Sequence, residues 1–277
     1  MELKITILSE NSVVEPIGII GEHGFSAFVE TEDCTFLFDS GQGYSILNNS
    51  LALEKDLTEI EFMFLSHGHY DHAMGIPQIL KIKSPLDIYA HPNVFKERYH
   101  VEEGESRFIG IPYRKSYLES LGAKFKFRKE FEKIAEGIYT SGEIPRKTSF
   151  EKIDPKLKTI DREGKFVQDK LEDDISLAIE TSKGLVVISG CAHSGIVNVL
   201  THFLKKTDND RIYAVIGGTH LGSASDKQVE KTLEFIEKHN IQKIGVSHCT
   251  GLANSAKLYN RLGDRFLFAS AGETIEI

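Results

Sequence analysis

Long apolar runs are missing from this chain of 277 residues. None approaches the roughly 20 residues that a membrane-spanning helix needs, so no membrane partner is expected. Cysteine is scarce: Cys34, Cys191 and Cys249 are odd in number and far apart. They do not make a disulfide framework, and a reducing cytoplasm is the simplest compartment. The opening stretch MELKITILSE has one lysine and an alternation that suits a first strand. It lacks the basic start and long apolar core of an export signal. Basic residues are in deficit, 33 Lys and Arg against 41 Asp and Glu, for a net charge of -8. Sequence-independent nucleic-acid binding runs on Lys and Arg neutralising phosphates, so nucleic acid is not an expected partner. The densest basic run, KFKFRK at 124–129, reads as a strand with a solvated face. What remains is an ordinary globular composition, 40% hydrophobic and 27% charged. The length allows one large domain with a substantial core, or two modest ones.

No clean linker divides the chain, so residues 1–277 read as a single domain. The N-terminal runs KITIL, FSAFVE and CTFLFDSG read as strands separated by Gly and acidic residues. EFMFLS is a further strand, and DHAMGIPQILKI looks like the start of a helix with Asp71 near its first turn. Residues 92 to about 170 are less regular and carry turn signals such as GIP, EIP and DP. They read as an elaboration on the core. After residue 174 a rhythm sets in. GLVVISG, RIYAVIGG and IQKIGVS each lead into a turn with a histidine and then into a helical stretch. EFMFLS–HGHYDH–AMGIPQIL is the same unit earlier in the chain. Such alternation predicts an α/β fold with helices packed on sheets. Ligands in such folds collect where strand ends give way to loops.

Four strand ends deliver histidine to that side: His67, His69 and His72 together, then His193, His220 and His248. Gathering imidazoles and a carboxylate in this way suits a transition-metal site. Alternate side chains His67 and His69 can reach one ion, and Asp71 and His72, past the turn, a second. Paired ions can clamp a phosphoryl or acyl group from both sides. Of the remaining histidines, His91, His100, His202 and His239 read as surface or helix-face residues.

The stretch HGHYDH resembles the H-x-H-x-D-H motif of the metallo-β-lactamase superfamily. LFDSG, with Asp39, resembles its first motif, GCAHSG its third and VSHCTG its last. The resemblance covers nearly the whole chain and implies an αββα sandwich, two central sheets with helices outside and metals at one edge. It also implies ligands: His67, His69 and His193 for one metal, Asp71, His72 and His248 for the other. Asp39 would hydrogen-bond behind the ligands, or cap a turn. The chain departs from the pattern at GGTHL, where many members carry an aspartate that bridges the metals. Either the second site is weaker, or His220 serves as a ligand or as a group that contacts substrate. Cys191 and Cys249 lie beside ligands, but small buried cysteine is the role favoured for them. Zinc is the first expectation for the metal, with manganese, iron or nickel also compatible.

Within the superfamily, His69 stands where oxygen-reducing di-iron members carry Glu. A narrower resemblance rests on EHGFSAFVE, SHGHYDHAMGI, SGEIPRKTSFE, DDISLAI, GCAHSGIVN, GGTHL and SHCTG. Together they are similar to the 7,8-dihydropterin-6-yl-methyl-4-(β-D-ribofuranosyl)aminobenzene 5′-phosphate synthases. That implies a condensation in which a dihydropterin methyl diphosphate loses pyrophosphate to an arylamine ribose phosphate, with Asp71 and His220 as catalytic candidates. Arg146, in GEIPR, would pair with a substrate phosphate, or form a surface salt bridge with Glu143 or Glu151. His23 reads as a turn residue more readily than a pocket residue. The alternatives are a metal-dependent hydrolase of a small phosphoester or lactone, with Asp71 orienting water, and a non-catalytic metal-binding protein. The expected partner is a small, phosphorylated substrate; the oligomeric state stays open.

Overall fold

Strands such as FMF and GLVVIS have no polar alternation, and strands of that kind must be covered on both faces. The computed structural model describes residues 2–14 and 18–277 and shows how they are covered. The chain begins with strands β1 (Leu3–Ser9), β2 (Ser26–Thr31) and β3 (Thr35–Phe38), helix α1 (Ile46–Ala52) and strand β4 (Phe62–Phe64). Two short helices, α2 (Tyr70–Ala73) and α3 (Ile76–Ile82), lead to β5 (Leu86–Ala90). The middle of the chain holds β6 (Arg98–Glu102), β7 (Glu105–Phe108), α4 (Lys115–Ser120), β8 (Ala123–Phe127), β9 (Glu132–Ala135), β10 (Ile138–Thr140), β11 (Leu157–Ile160) and β12 (Phe166–Gln168). The last part runs β13 (Ser176–Thr181), β14 (Gly184–Ser189), α5 (Ile196–Lys206), β15 (Ile212–Gly218), α6 (Asp226–Lys238), β16 (Lys243–Ser247), α7 (Leu252–Leu262), β17 (Phe266–Phe268) and β18 (Thr274–Glu276).

Two seven-stranded sheets form the centre, in the orders β18-β1-β2-β3-β4-β5-β8 and β17-β16-β15-β14-β13-β10-β9. Each is antiparallel at one end and parallel at the other: β3, β4, β5 and β8 run parallel in the first, and β14 to β17 in the second. Alternate side chains explain the layers. Phe36 and Phe38 point into the core between the sheets, together with Phe64, Val186, Ile188 and Ile216. Leu37 points the other way, under Ile76 and Ile79 of α3. Val187 and Val215 meet Val199, Phe203, Leu233 and Leu258 from α5, α6 and α7. Burying both faces of each sheet gives the αββα sandwich.

The strand–turn–helix units expected after residue 174 are the elements β14–α5, β15–α6 and β16–α7. The middle region differs from a plain insertion. β8 joins the first main sheet and β9 and β10 the second, while β6, β7, β11 and β12 form a separate four-stranded sheet. The basic run around β8 lies at the edge of its sheet, with Lys124 exposed.

Candidate metal centre

The carboxyl ends of parallel strands from both sheets meet at one edge. β3 delivers Asp39, β4 delivers His67, β14 delivers Cys191 and His193, β15 delivers His220 and β16 delivers His248. His67, Gly68 and His69 form a tight loop. A Cβ at Gly68 would lie 1.8 Å from the Val94 carbonyl oxygen and 2.6 Å from Arg98 Nη1, so only glycine fits. That close approach lets the two histidines converge, with His67 Nε2 3.1 Å from His69 Nδ1. The His193 ring centroid lies 4.9 Å from each of theirs.

All three rings are buried. Burial and the neighbouring imidazoles hold His67 and His193 far below the ordinary histidine range. Burial does the same to His69, against the pull of Asp71. Neutral imidazole is the form that ligates metal. Neither ring nitrogen of His193 has a hydrogen-bond partner, nor does His69 Nε2. Buried polar atoms without partners are rare, and a cation among three facing imidazoles accounts for them. Ligand atoms of His67, His69 and His193 all lie within 4.8 Å of one another. The donor set therefore fits a transition metal.

Asp39 lies behind these rings, fully buried and at φ 53°. Its Oδ2 accepts from Ser66 Oγ at 2.7 Å and pairs with His72 Nδ1 at 2.7 Å. Its Oδ1 accepts from the Ser66 amide at 2.7 Å. Since Ser66 Oγ gives its proton to Asp39, it accepts from His67 Nδ1, 2.9 Å away. One carboxylate thus fixes the tautomer of two histidines and leaves both Nε2 atoms facing the site, the support that metal-ligating histidines need. Burial would lower His72, but Asp39 raises it.

Asp71 stands in the first turn of α2, and one oxygen meets two imidazoles: His23 Nε2 at 3.1 Å and His248 Nε2 at 3.2 Å. Burial alone would raise its carboxyl, but the hydrogen bonds from His23 and His248 hold it well below the usual carboxylate range. His248 is oriented from the other side, with Nδ1 2.9 Å from Asn11 Oδ1. Ligand atoms of His23, Asp71 and His248 form a second close group, and those of His67, His72 and Cys191 a third. His72 therefore groups with His67 and Cys191 at this spacing; its ring centroid is 5.2 Å from that of His248.

His220 sits at φ 50°, in the left-handed region that a non-glycine residue occupies only under constraint. Its ring is 4.3 Å from that of His193, and neither ring nitrogen is hydrogen-bonded. The residue is partly exposed, but both ring nitrogens are buried.

Several sequence expectations are corrected. His23 does sit at a bend, but its ring reaches Asp71 and so lines the site. Arg146 pairs with neither Glu143 nor Glu151. Its guanidinium donates to the carbonyls of His193 at 2.6 Å and Lys170 at 3.1 Å, which braces the third-motif loop. His91 is not a surface residue: it is buried, accepts from the Asn93 amide through Nδ1 and faces Glu143 through Nε2. Residues that the sequence reading passed over include Ser66, Asn11, Arg98 and Asp173. Only Ser66, next to the motif, carried a local signal.

Comparison with known proteins follows the same lines. The family model described as the metallo-β-lactamase superfamily matches residues 19–248. A 7,8-dihydropterin-6-methyl-4-(β-D-ribofuranosyl)-aminobenzene-5′-phosphate synthase of Methanocaldococcus jannaschii is 33% identical, over 99% of this chain and 96% of its own. An uncharacterized protein of the same archaeon is 32% identical, over 99% of this chain and 100% of its own. A crystal structure described as a metal-dependent hydrolase of the β-lactamase superfamily superposes with TM-score 0.86 at 27% identity, covering 99% of both chains.

Proposed function

The chain belongs to the metallo-β-lactamase superfamily, and from that premise we propose that it is a metal-dependent enzyme acting on a small phosphorylated substrate. The reaction proposed is the joining of a dihydropterin methyl diphosphate to an arylamine ribose phosphate. The observation that carries the metal dependence is the buried trio His67, His69 and His193, in which His69 Nε2 and both His193 nitrogens find no partner among the described residues. The substrate class rests on end-to-end similarity to the archaeal synthase. His67, His69 and His193 would hold one ion and Asp71, His72 and His248 the other, with zinc the metal that suits the set best. Bound there, divalent ions supply Lewis acidity to the oxygens of a diphosphate leaving group.

The rest falls to the chain's own groups. A carbon–nitrogen bond forms at the pterin methylene, the carbon–oxygen bond to diphosphate breaks, and the amine proton must leave. We assign that proton to His220, whose ring nitrogens are buried beside His193 with no hydrogen-bond partner among the described residues. Asp71, held as a carboxylate, brings negative charge to the second group of ligands. Arg146 braces the His193 loop through its carbonyl.

A second reading, hydrolysis of a small phosphoester or lactone, is favoured by the near-complete superposition on a structure described as a metal-dependent hydrolase. Mass spectrometry separates the readings. Metal-loaded protein is given hydroxymethyl-dihydropterin diphosphate, with and without the ribofuranosylaminobenzene phosphate acceptor. A coupled pterin–arylamine product that needs the acceptor is the expected result. The pterin alcohol alone, formed equally in both reactions, would replace the synthase with a hydrolase.

A further inference from the structure

We propose that Cys191 is a metal ligand, its sulfur closing the floor of the centre where the end of β15 supplies no carboxylate. The proposal rests on the metal centre described above and adds a donor to it. Cys191 follows β14 and is buried, and its Sγ lies 3.3 Å from His72 Nε2. That nitrogen is the free one, because His72 Nδ1 is taken by Asp39 at 2.7 Å. Ligand atoms of His67, His72 and Cys191 lie within 4.8 Å of one another. His67 also belongs to the group with His69 and His193. The sulfur therefore stands beside a ligand of each expected ion.

The end of β15 packs closely beside it. β15 ends in Gly217 and Gly218. A Cβ on Gly218 would lie 2.2 Å from the Gly190 carbonyl oxygen, 2.7 Å from Cys249 Sγ and 3.1 Å from Cys191 Cα. No side chain fits at that position, chiefly because of the Gly190 carbonyl, so the end of β15 adds no donor there. Charge points the same way. Two divalent ions bring more positive charge than the carboxylates of Asp71 and Asp39 offset, and a thiolate adds a negative donor.

Cys249 does not compete for the role. Its Sγ accepts from the His220 amide at 3.2 Å and donates to the Cys191 carbonyl at 3.5 Å. It is in none of the close ligand groups among the described residues. A thiolate donor also narrows the metal: it suits zinc or iron and disfavours manganese.

The test is spectroscopic. The full chain is loaded with cobalt(II) without oxygen, cobalt content is measured, and the near-ultraviolet spectrum is recorded. A thiolate-to-cobalt charge-transfer band is expected in the unaltered chain and in Cys249→Ser, and should be lost in Cys191→Ser. Zinc X-ray absorption on the unaltered chain gives a check that needs no variant. A scatterer at about 2.3 Å marks sulfur, against about 2.0–2.1 Å for a purely nitrogen and oxygen shell. Cobalt bound with no such band, or a band lost only in Cys249→Ser, overturns the proposal and leaves the histidine centre standing. Failure of the unaltered chain to take up cobalt or zinc at all overturns the centre and the proposal together.

Discussion

A histidine whose two ring nitrogens are both engaged, out of reach of water, resists protonation, and His91 is in that position. Burial lowers its pKa from the ordinary 6.5, against the pull of Asp173 and Glu143. The sign follows from proton counting. Below 6.5 the unfolded chain takes up a proton at this site that the folded chain does not, so acidification through that window favours unfolding. The stability it contributes is present above 6.5 and is lost as the pH falls. His91→Gln should flatten this acid limb. Urea unfolding at neutral pH and again below 6 or so, for both chains, checks it; equal slopes would refute the assignment. At this scale the sequence was legible where chemistry is encoded by spacing. His67, His69, Asp71 and His72 declare themselves within six positions. The groups that orient them do not, because Asn11, His23 and Asp173 reach the site from distant parts of the chain, and no local pattern marks a residue for a contact made only in the fold.

Helix α5 begins three residues after His193, and its first turn has no side-chain cap of its own. The position before it is Gly195, at φ 94°, where a Cβ would lie 2.4 Å from Glu151 Cδ. Glu151 takes the capping role from outside, accepting from the Val197 amide at 2.8 Å and the Asn198 amide at 3.0 Å. An acceptor with negative charge at a helix N-terminus satisfies orphan amides and favours the dipole. Asn198 returns the contact, its Oδ1 accepting from the amides of Lys147 and Thr148 at 2.8 and 3.0 Å. The irregular segment beside Arg146 is thereby fastened to the helix behind His193. Glu151→Ala should cost about 1–2 kcal/mol in unfolding free energy, the scale of a lost cap, with Glu151→Gln costing less because it keeps an acceptor. Denaturant titration of the two variants measures this, and an unchanged Glu151→Ala would show that water replaces the cap. The helices and their strands were readable from apolar period alone. The cap was not, since the expected partner of Glu151 was Arg146 and helix signals are sought just upstream of the helix, not 45 residues away.

The whole molecule is two similar sheets face to face, plus a third that the sequence reading took for irregular chain. β6, β7, β11 and β12 are short and partly exposed, and β6 pairs with β11 across more than 50 residues, so neither length nor alternation announces them. What joins this sheet to the metal centre is Arg98, at the start of β6 and 1% exposed. Its guanidinium is paired with Asp169 at 3.0 Å and Asp173 at 2.5 Å, and it donates to the Val94 carbonyl at 3.2 Å. Asp173 in turn accepts from the Gly68 amide at 2.8 Å, in the middle of the His67–His69 loop. A buried pair of this kind contributes little when compared with apolar packing, but removing one member strands the other charges. Arg98→Met should therefore lower stability by about 3–5 kcal/mol. Adding Asp169→Asn and Asp173→Asn to it should restore part of that loss, because the charges that were stranded are gone. Urea unfolding of the metal-free chains tests the order. A triple variant no more stable than the single one would mean that the cost lies in lost packing, and that Arg98 holds the ligand loop by shape and not by charge.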